Sequence, residues 1–275
     1  PSSGGNGLTN SSSTRPREAD RSTSSRAGRT RVSLSARMSP GRSHRSSPAT
    51  CESWSAGSAA SSALTNDQCT PYTVHYAYDT VALAKGTGNA VVKAGGKSWY
   101  FLTADYAFGA ALQNDTSKVV QAAGGTIVGS VKHPLNSSDF SSFLLQAQSS
   151  KAQILGLANA GGDTINSIKA ANEFGLTKTK KLAGLLACMN DIHSLGLERA
   201  QGLNLTEAFY WDLNDRTRAF SKKFAARFNG KMPTSVQAGF YSATLAYLNA
   251  VKSTGTDNAE KVMAAMKAAK WDDPI

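Results

Sequence analysis

Lysine is missing from the first 84 residues, and all 17 lysines of the 275-residue chain lie at or beyond Lys85. Cysteine is scarce too. Cys51, Cys69 and Cys188 lack the short spacings of a thiolate metal site. The four histidines are scattered and complete no such set, so neither a metal nor another cofactor is expected. No run of 18 apolar residues occurs, which excludes a hydrophobic membrane-spanning helix. No Gly-Lys-Ser/Thr loop is present, which removes the phosphate-cradling nucleotide sites. Gly86-Thr87-Gly88 resembles part of a dinucleotide fingerprint. No strand precedes it, and Val91 stands where the third glycine belongs, so these are helix or turn glycines. No apolar segment follows the early charges, so no secretory signal is legible there.

Arginine and serine fill the lysine-free front. The first 56 residues hold 9 Arg, 16 Ser and 3 acids, a net charge of +6. The remaining 219 hold 17 Lys, 4 Arg and 16 acids, a net charge of +5. The front, residues 1–57, is too poor in aliphatic side chains to build a core and is expected to be disordered. Three readings of it are open: a nucleic-acid-binding arm, a transit peptide, or a GC-rich coding strand read out of frame. Out-of-frame GC-rich codons yield Arg, Ser, Ala, Gly and Pro and avoid Lys, which is the composition seen. The span from Arg15 to Arg45 has no interleaved aromatic on which a base could stack, so no nucleic-acid partner is expected.

Behind this leader the chain alternates between two periodicities. Trp99, Tyr100, Phe101 and Leu102 form a continuous apolar run, the mark of a strand buried on both faces. A helical pattern follows through Phe108, Leu112, Val119 and Val120, stopped at Gly124-Gly125. Strands are predicted over 126–131, at Ile154 to Leu157, over 182–187 and over 205–211. Helices are predicted after Asp139, from Gly161 with Ile165, Ile168, Ala171 and Phe174 on one face, and after a capping Asp191. Three more carry Phe220, Phe224 and Phe228; Tyr241, Leu245, Leu248 and Val251; and Met263 with Met266. Alternation at this spacing predicts an α/β fold with parallel sheets, whose ligands sit beyond the carboxyl ends of the strands. The loops at 103–109, 159–163, 187–193 and 211–215 are therefore the places to search.

Within them, Gly161-Gly162-Asp163 opens a helix where backbone amides could meet an anion, and equally could serve close packing. Tyr106 and Phe108 could line a pocket. Cys188 and His193 suggest a nucleophile and base, but no third residue orients them, and a buried structural thiol is the better reading. Cys69 reads as exposed, with no identifiable disulfide partner. Asn10, Asn114, Asn136 and Asn204 head glycosylation sequons at near-chance frequency and carry no weight.

The stretch Phe101-Leu102-Thr103-Ala104-Asp105-Tyr106-Ala107-Phe108-Gly109 resembles the periplasmic solute-binding proteins of branched-chain amino acid type ABC transporters. Ala59 to Ser62, the 159–164 turn, Asp191 to Gly196, Phe209-Tyr210-Trp211 and the Gln237 to Tyr241 segment agree, in order, over 58–275. The resemblance implies a two-lobed type I periplasmic-binding-protein fold with the ligand in a cleft. Residues 58–125 and 209–275 would belong to lobe one and 126–208 to lobe two. By the same resemblance Ala60 and Ser61, with Ser62 beside them, bind a ligand carboxylate. Tyr106, Phe108, Gly161 and Tyr210 line the cleft, and Asp191 stands near the place of an acid for a ligand ammonium. It further implies a periplasmic, monomeric, non-enzymatic receptor delivering a branched-chain amino acid or aromatic acid to a membrane permease. An enzyme using Cys188 and His193, or a ligand-sensing domain, are the alternatives. The family carries strand–helix units ahead of the Ala59 to Ser62 loop. Here the Arg/Ser leader takes their place, so lobe one is expected to be incomplete. If the leader is read out of frame, the other two frames upstream of Ser58 encode alternating strands and helices. Nucleotide sequencing checks this, and the absence of such a pattern overturns it.

Overall fold

The computed structural model describes residues 54–56, 59–76, 78–273 and 275. Apart from its last three described residues, the leader and the readings placed on it lie outside the described residues. Those residues correct its boundary. Trp54–Ala56 (β1) pairs in parallel with Thr73–His75 (β2), so regular backbone structure starts before residue 58. A three-residue strand is too short to register against the composition of 57.

The fold is organised around β3 (Ser98–Ala104). Trp99, Phe101 and Leu102 have no solvent-exposed area there, as the apolar run predicts. A strand covered on both faces and inside a sheet needs partners on both edges. Thr126–His133 (β4) pairs along one and Ile154–Ala158 (β5) along the other, and Lys181–Gly184 (β6) extends the sheet beyond β5. The order is β4-β3-β5-β6 and every pairing is parallel. β5 is buried throughout, whereas most of the edge strand β4 alternates between exposed and half-buried residues.

Side-chain alternation along β3 sends its residues into two cores. Tyr100 and Leu102 join Phe140, Leu144, Leu155, Leu157 and Ile168 under Ser141–Ser149 (α4) and Gly161–Glu173 (α5). Trp99 and Phe101 join Leu83, Val91, Leu112 and Val120 on the opposite face. That face is covered by Thr80–Leu83 (α1), a wide π turn over Ala84–Gly88, Asn89–Lys93 (α2) and Ala107–Ala122 (α3). Gly156 is needed between them: a Cβ there would lie 2.8 Å from the Phe101 ring. Gly86 and Gly88 fall inside the π turn, in keeping with the helix-or-turn reading.

A smaller core joins β2 to the last two helices. Val74 of β2 packs with Ala250 of Ser235–Thr254 (α9) and with Val262, Met263 and Met266 of Ala259–Ala268 (α10). Three further helices, in chain order, precede these two: Met189–Leu195 (α6), Leu197–Ala200 (α7) and Asp215–Ala225 (α8). The 59–62 loop and α1 are tied to α3 at Asp115, a buried carboxylate. It accepts from the Ser62 hydroxyl at 2.8 Å and the Thr80 hydroxyl at 2.6 Å.

β3 is hydrogen-bonded to both β4 and β5 and shares one sheet with them. Several expectations need correction. Residues 205–211 form no strand: Asn204 makes one isolated bridge to Ala183, and the chain then leaves the sheet edge. β6 ends at Gly184 rather than at 187. Tyr241 and Leu248 are about half exposed, and α9 buries the small residues Ala238, Ser242, Ala243 and Ala250 instead. Small side chains let that helix approach its neighbours closely, which an apolar-stripe pattern does not register. Phe174, just past the end of α5, and Phe228, beyond the end of α8, are likewise exposed.

Leu102 touches nothing but core, so Leu102→Ala removes its buried contacts and leaves a cavity. The expected loss is about 2–5 kcal/mol of unfolding free energy, read from a shifted urea midpoint at constant slope.

Candidate functional site

Parallel strands place all their carboxyl ends at one edge, and the polar residues of the chain gather there. β4 ends on His133, Asn159 follows β5 and Cys188 lies beyond β6, while Tyr78 follows β2 of the separate two-stranded sheet. Two of these form a fully buried scaffold. The Asn159 amide donates to His133 Nε2 at 3.2 Å and its oxygen accepts from the Thr164 hydroxyl at 2.8 Å. With Nε2 accepting, His133 Nδ1–H donates to the Pro134 carbonyl at 2.8 Å. The network holds the first turn of α5 in place. Asp163 in that turn accepts from the Asn136 amide at 3.1 Å.

Beside it lies a cluster of acids. Asp191 does not cap α6 from its front, as the sequence suggested. Cys188 holds the N-cap position, and Asp191 in the first turn reaches back to accept from the Cys188 amide at 2.8 Å. Its other oxygen accepts from the Asn190 amide group at 3.1 Å, so Asp191 is engaged within the protein. Glu207 is the residue the sequence reading missed. It accepts from the Met189 amide at 3.1 Å and also from the Ser235 hydroxyl. With that hydroxyl donating to Glu207, the Cys188 thiol donates to Ser235 Oγ across 3.8 Å.

Burial dominates the electrostatics. It raises the Glu207 carboxyl above its ordinary value, and the nearby Asp191 charge adds to this, while hydrogen bonds from Ser235 and Met189 oppose it. Asp191 is raised chiefly by burial as well. Burial, then the Glu207 charge, pushes the Cys188 thiol to about 12. Tyr78 also rises to about 12, from burial first and then from Cys188, Glu207 and Tyr106. All four shifts favour the neutral form, so the thiol and the phenol are uncharged near neutrality, and Glu207 and Asp191 are the two carboxyls of the cluster.

The expected site residues fall into three sets. Ala60 and Ser61 sit at the loop beyond β1. Thr80 donates its amide to the Ala60 carbonyl at 2.8 Å, and no acceptor among the described residues meets the Ala60 or Ser61 amide. Ser62 differs: its hydroxyl goes to Asp115 and its amide to Thr80 Oγ1, so it holds the loop. Tyr106 caps α3, lies 5.8 Å from the Phe108 ring, and is raised in pKa by burial and by the Asp163 charge. Phe108 itself packs partly into the core under β3. Gly161 has a φ of +56°, and a Cβ there would meet only open space. Tyr210 is exposed, its ring tilted against that of Trp211 with centroids 5.8 Å apart, and among the described residues no hydrogen bond joins it to the acid cluster. Cys188 and Cys69 are both free thiols, one buried and one exposed, as read from the sequence. His193 is exposed, and among the described residues no hydrogen bond links it to Cys188. A thiol raised to about 12 is scarcely ionised near neutrality, the opposite of an activated nucleophile. Among the described residues, no group of three or more His, Cys, Asp or Glu could hold a metal ion, and no helix is long and apolar enough to cross a membrane.

A parallel α/β sheet with polar loops collected at its carboxyl edge defines a ligand-binding architecture. The sequence profile of the periplasmic binding protein family matches residues 52–275, and the chain belongs to that family. A periplasmic binding protein from Burkholderia mallei is 62% identical, with a TM-score of 0.77 over 78% of this chain and 57% of that one. A branched-chain amino acid ABC transporter periplasmic ligand-binding protein from Burkholderia xenovorans LB400 is 40% identical, with a TM-score of 0.69, covering 80% of this chain and 59% of that one. A solute-binding protein of an ABC transporter from Rhodopseudomonas palustris BisB5, in complex with 3,4-dihydroxybenzoic acid, is 26% identical, with a TM-score of 0.70, covering 79% and 60%. The chain thus spans less than two thirds of the length of these relatives. No curated protein matches it.

The raised Glu207 carboxyl carries a definite sign. Its folded pKa exceeds the unfolded value, so the fold favours the protonated acid, and that contribution is lost as pH climbs through the folded pKa. Glu207→Gln keeps the acceptor and removes the charge. Its melting temperature should match the parent near pH 4 and exceed it at pH 7 to 8, by a few degrees. Paired thermal melts across pH check this; a variant less stable at pH 8 overturns the assignment.

Proposed function

We propose that the chain carries the ligand-binding part of a periplasmic receptor that captures a small carboxylate-bearing solute for an ABC importer. Membership of the periplasmic binding protein family supports the general reading. The acid cluster supports an amino acid as the solute. Glu207, with Asp191 behind it, would hold the ammonium, and the open amides of Ala60 and Ser61 would hold the carboxylate. Tyr78, Tyr106 and Phe108 would wall the cleft, and the open space at Gly161 would admit a bulky side chain. In this reading β1, β2 and α8 to α10 are the part of lobe one present, and the four-stranded sheet with its helices is lobe two. The receptor acts as a monomer and its further partner is the membrane permease.

The single observation that carries the amino-acid reading is the position of Glu207, half-buried at the carboxyl edge and surrounded by other acids and protonated hydroxyl or thiol groups. An aromatic acid is the second reading, favoured by the 3,4-dihydroxybenzoic acid bound to the Rhodopseudomonas palustris relative. Calorimetric titration separates them. L-leucine should bind and raise the melting temperature, and Glu207→Gln should weaken it at least about tenfold, as expected for loss of a charged hydrogen bond. Tighter binding of 3,4-dihydroxybenzoate than of leucine would select the aromatic reading. Steady product formation abolished by Cys188→Ala would overturn a receptor role altogether.

A further inference from the structure

Glu207 lies in an irregular segment with no strand to hold it, so something else must fix where its carboxylate stands. The preceding residue, Thr206, supplies the clue. Its hydroxyl is hydrogen-bonded to Thr87 Oγ1 at 2.8 Å, and Thr87 is 1% exposed. The chain position before Thr87 is Gly86, where a Cβ would lie 2.2 Å from Thr206 Oγ1, 2.7 Å from Cγ2 and 3.0 Å from Cβ. All three side-chain atoms of Thr206 crowd that point, so rotating the side chain would not make room and the backbone at 206 would have to move. Both residues sit in the π turn over Ala84–Gly88 that interrupts the helix between α1 and α2. A π turn widens a helix by one residue and is common beside functional sites. Here the widened turn presents a glycine surface and a buried hydroxyl to one partner, Thr206.

We infer that the π turn is a seat for Thr206, and that Gly86 and Thr87 are positioning residues that aim Glu207 at the ligand's cationic group. This rests on the proposed amino-acid reading of the cleft. The seat fixes residue 206, the next residue's carboxylate reaches the Met189 amide and Ser235, and Asp191, Cys188 and Tyr78 surround it. Neither Gly86 nor Thr87 touches the ligand.

The test uses the full chain with L-leucine and 4-methylpentanoate, which is leucine without its ammonium. Gly86→Ala and Thr87→Val should each lower leucine affinity about tenfold, the scale of one charged hydrogen bond, and leave 4-methylpentanoate affinity within about twofold. Thr87→Ser, which keeps the hydroxyl, should retain the parent preference. A purely structural role would weaken both ligands together, and that outcome overturns the proposal. A second measurement needs no ligand. The extra thermal stability that Glu207→Gln gains between pH 4 and pH 8 should shrink by half or more in a Gly86→Ala background, because a displaced Glu207 regains water. An unchanged gain overturns the seat while leaving the ammonium reading intact. If Glu207→Gln alone leaves the preference for leucine over 4-methylpentanoate unaltered, the ammonium reading fails and the proposal falls with it.

Discussion

β3 is hydrogen-bonded on both edges and covered on both faces, and that constraint governs the remaining architecture. A strand in this position must pair its backbone groups with neighbours on both edges. The neighbours are parallel, and parallel neighbours cannot be joined by tight turns, so each return requires a crossing segment. In β3 to β6 those segments carry α3, α4 and α5, and they cover the two faces that side-chain alternation makes apolar. The same parallelism sends the carboxyl ends of β3 to β6 to one edge. The site is therefore a consequence of the ladder rather than a separate device.

At that edge, two polar clusters divide the work by what they lack. The Asn159, His133 and Thr164 network pairs its buried groups internally and serves as rigid support. In the Glu207, Asp191, Cys188 and Tyr78 cluster, burial is the main cause that disfavours the ionised forms. A folded chain accepts such burial at a cost, which in the proposed amino-acid reading a cationic ligand would offset. The Asp115 junction has the complementary role. Its carboxylate ties Ser62 and Thr80 to α3, so the loop with open amides is set on the same scaffold as the acids.

The parts legible in the sequence were those written in local periodicity. The Trp99 to Leu102 run, the Gly124 and Gly175 stops and the Met263–Met266 face all stand where the pattern places them. The failures share a cause. α9 buries Ala238, Ala243 and Ser242, and a reading weighted toward large apolar residues chose Tyr241 and Leu248. Residues 205–211 carry strand-like composition, but the sheet has only one bridge to offer them, at Asn204. Among site residues, Tyr106, Cys188 and Asp191 lay in loops that strand order had marked. Glu207 lay outside every such loop, and no short motif frames it.

The class of fold was settled by residue order, since alternating periodicities leave one economical way to bury a parallel sheet. How each acid is engaged was not. Asp191 has the helix-start position that sequence logic rewards, yet the backbone amide of Cys188 engages it. Glu207 gains its place through Thr206, Thr87 and Gly86, more than 100 residues apart in the chain. Charge and hydrogen-bonding capacity are properties of a residue. Whether they are used internally or left to a ligand depends on neighbours that only packing brings together.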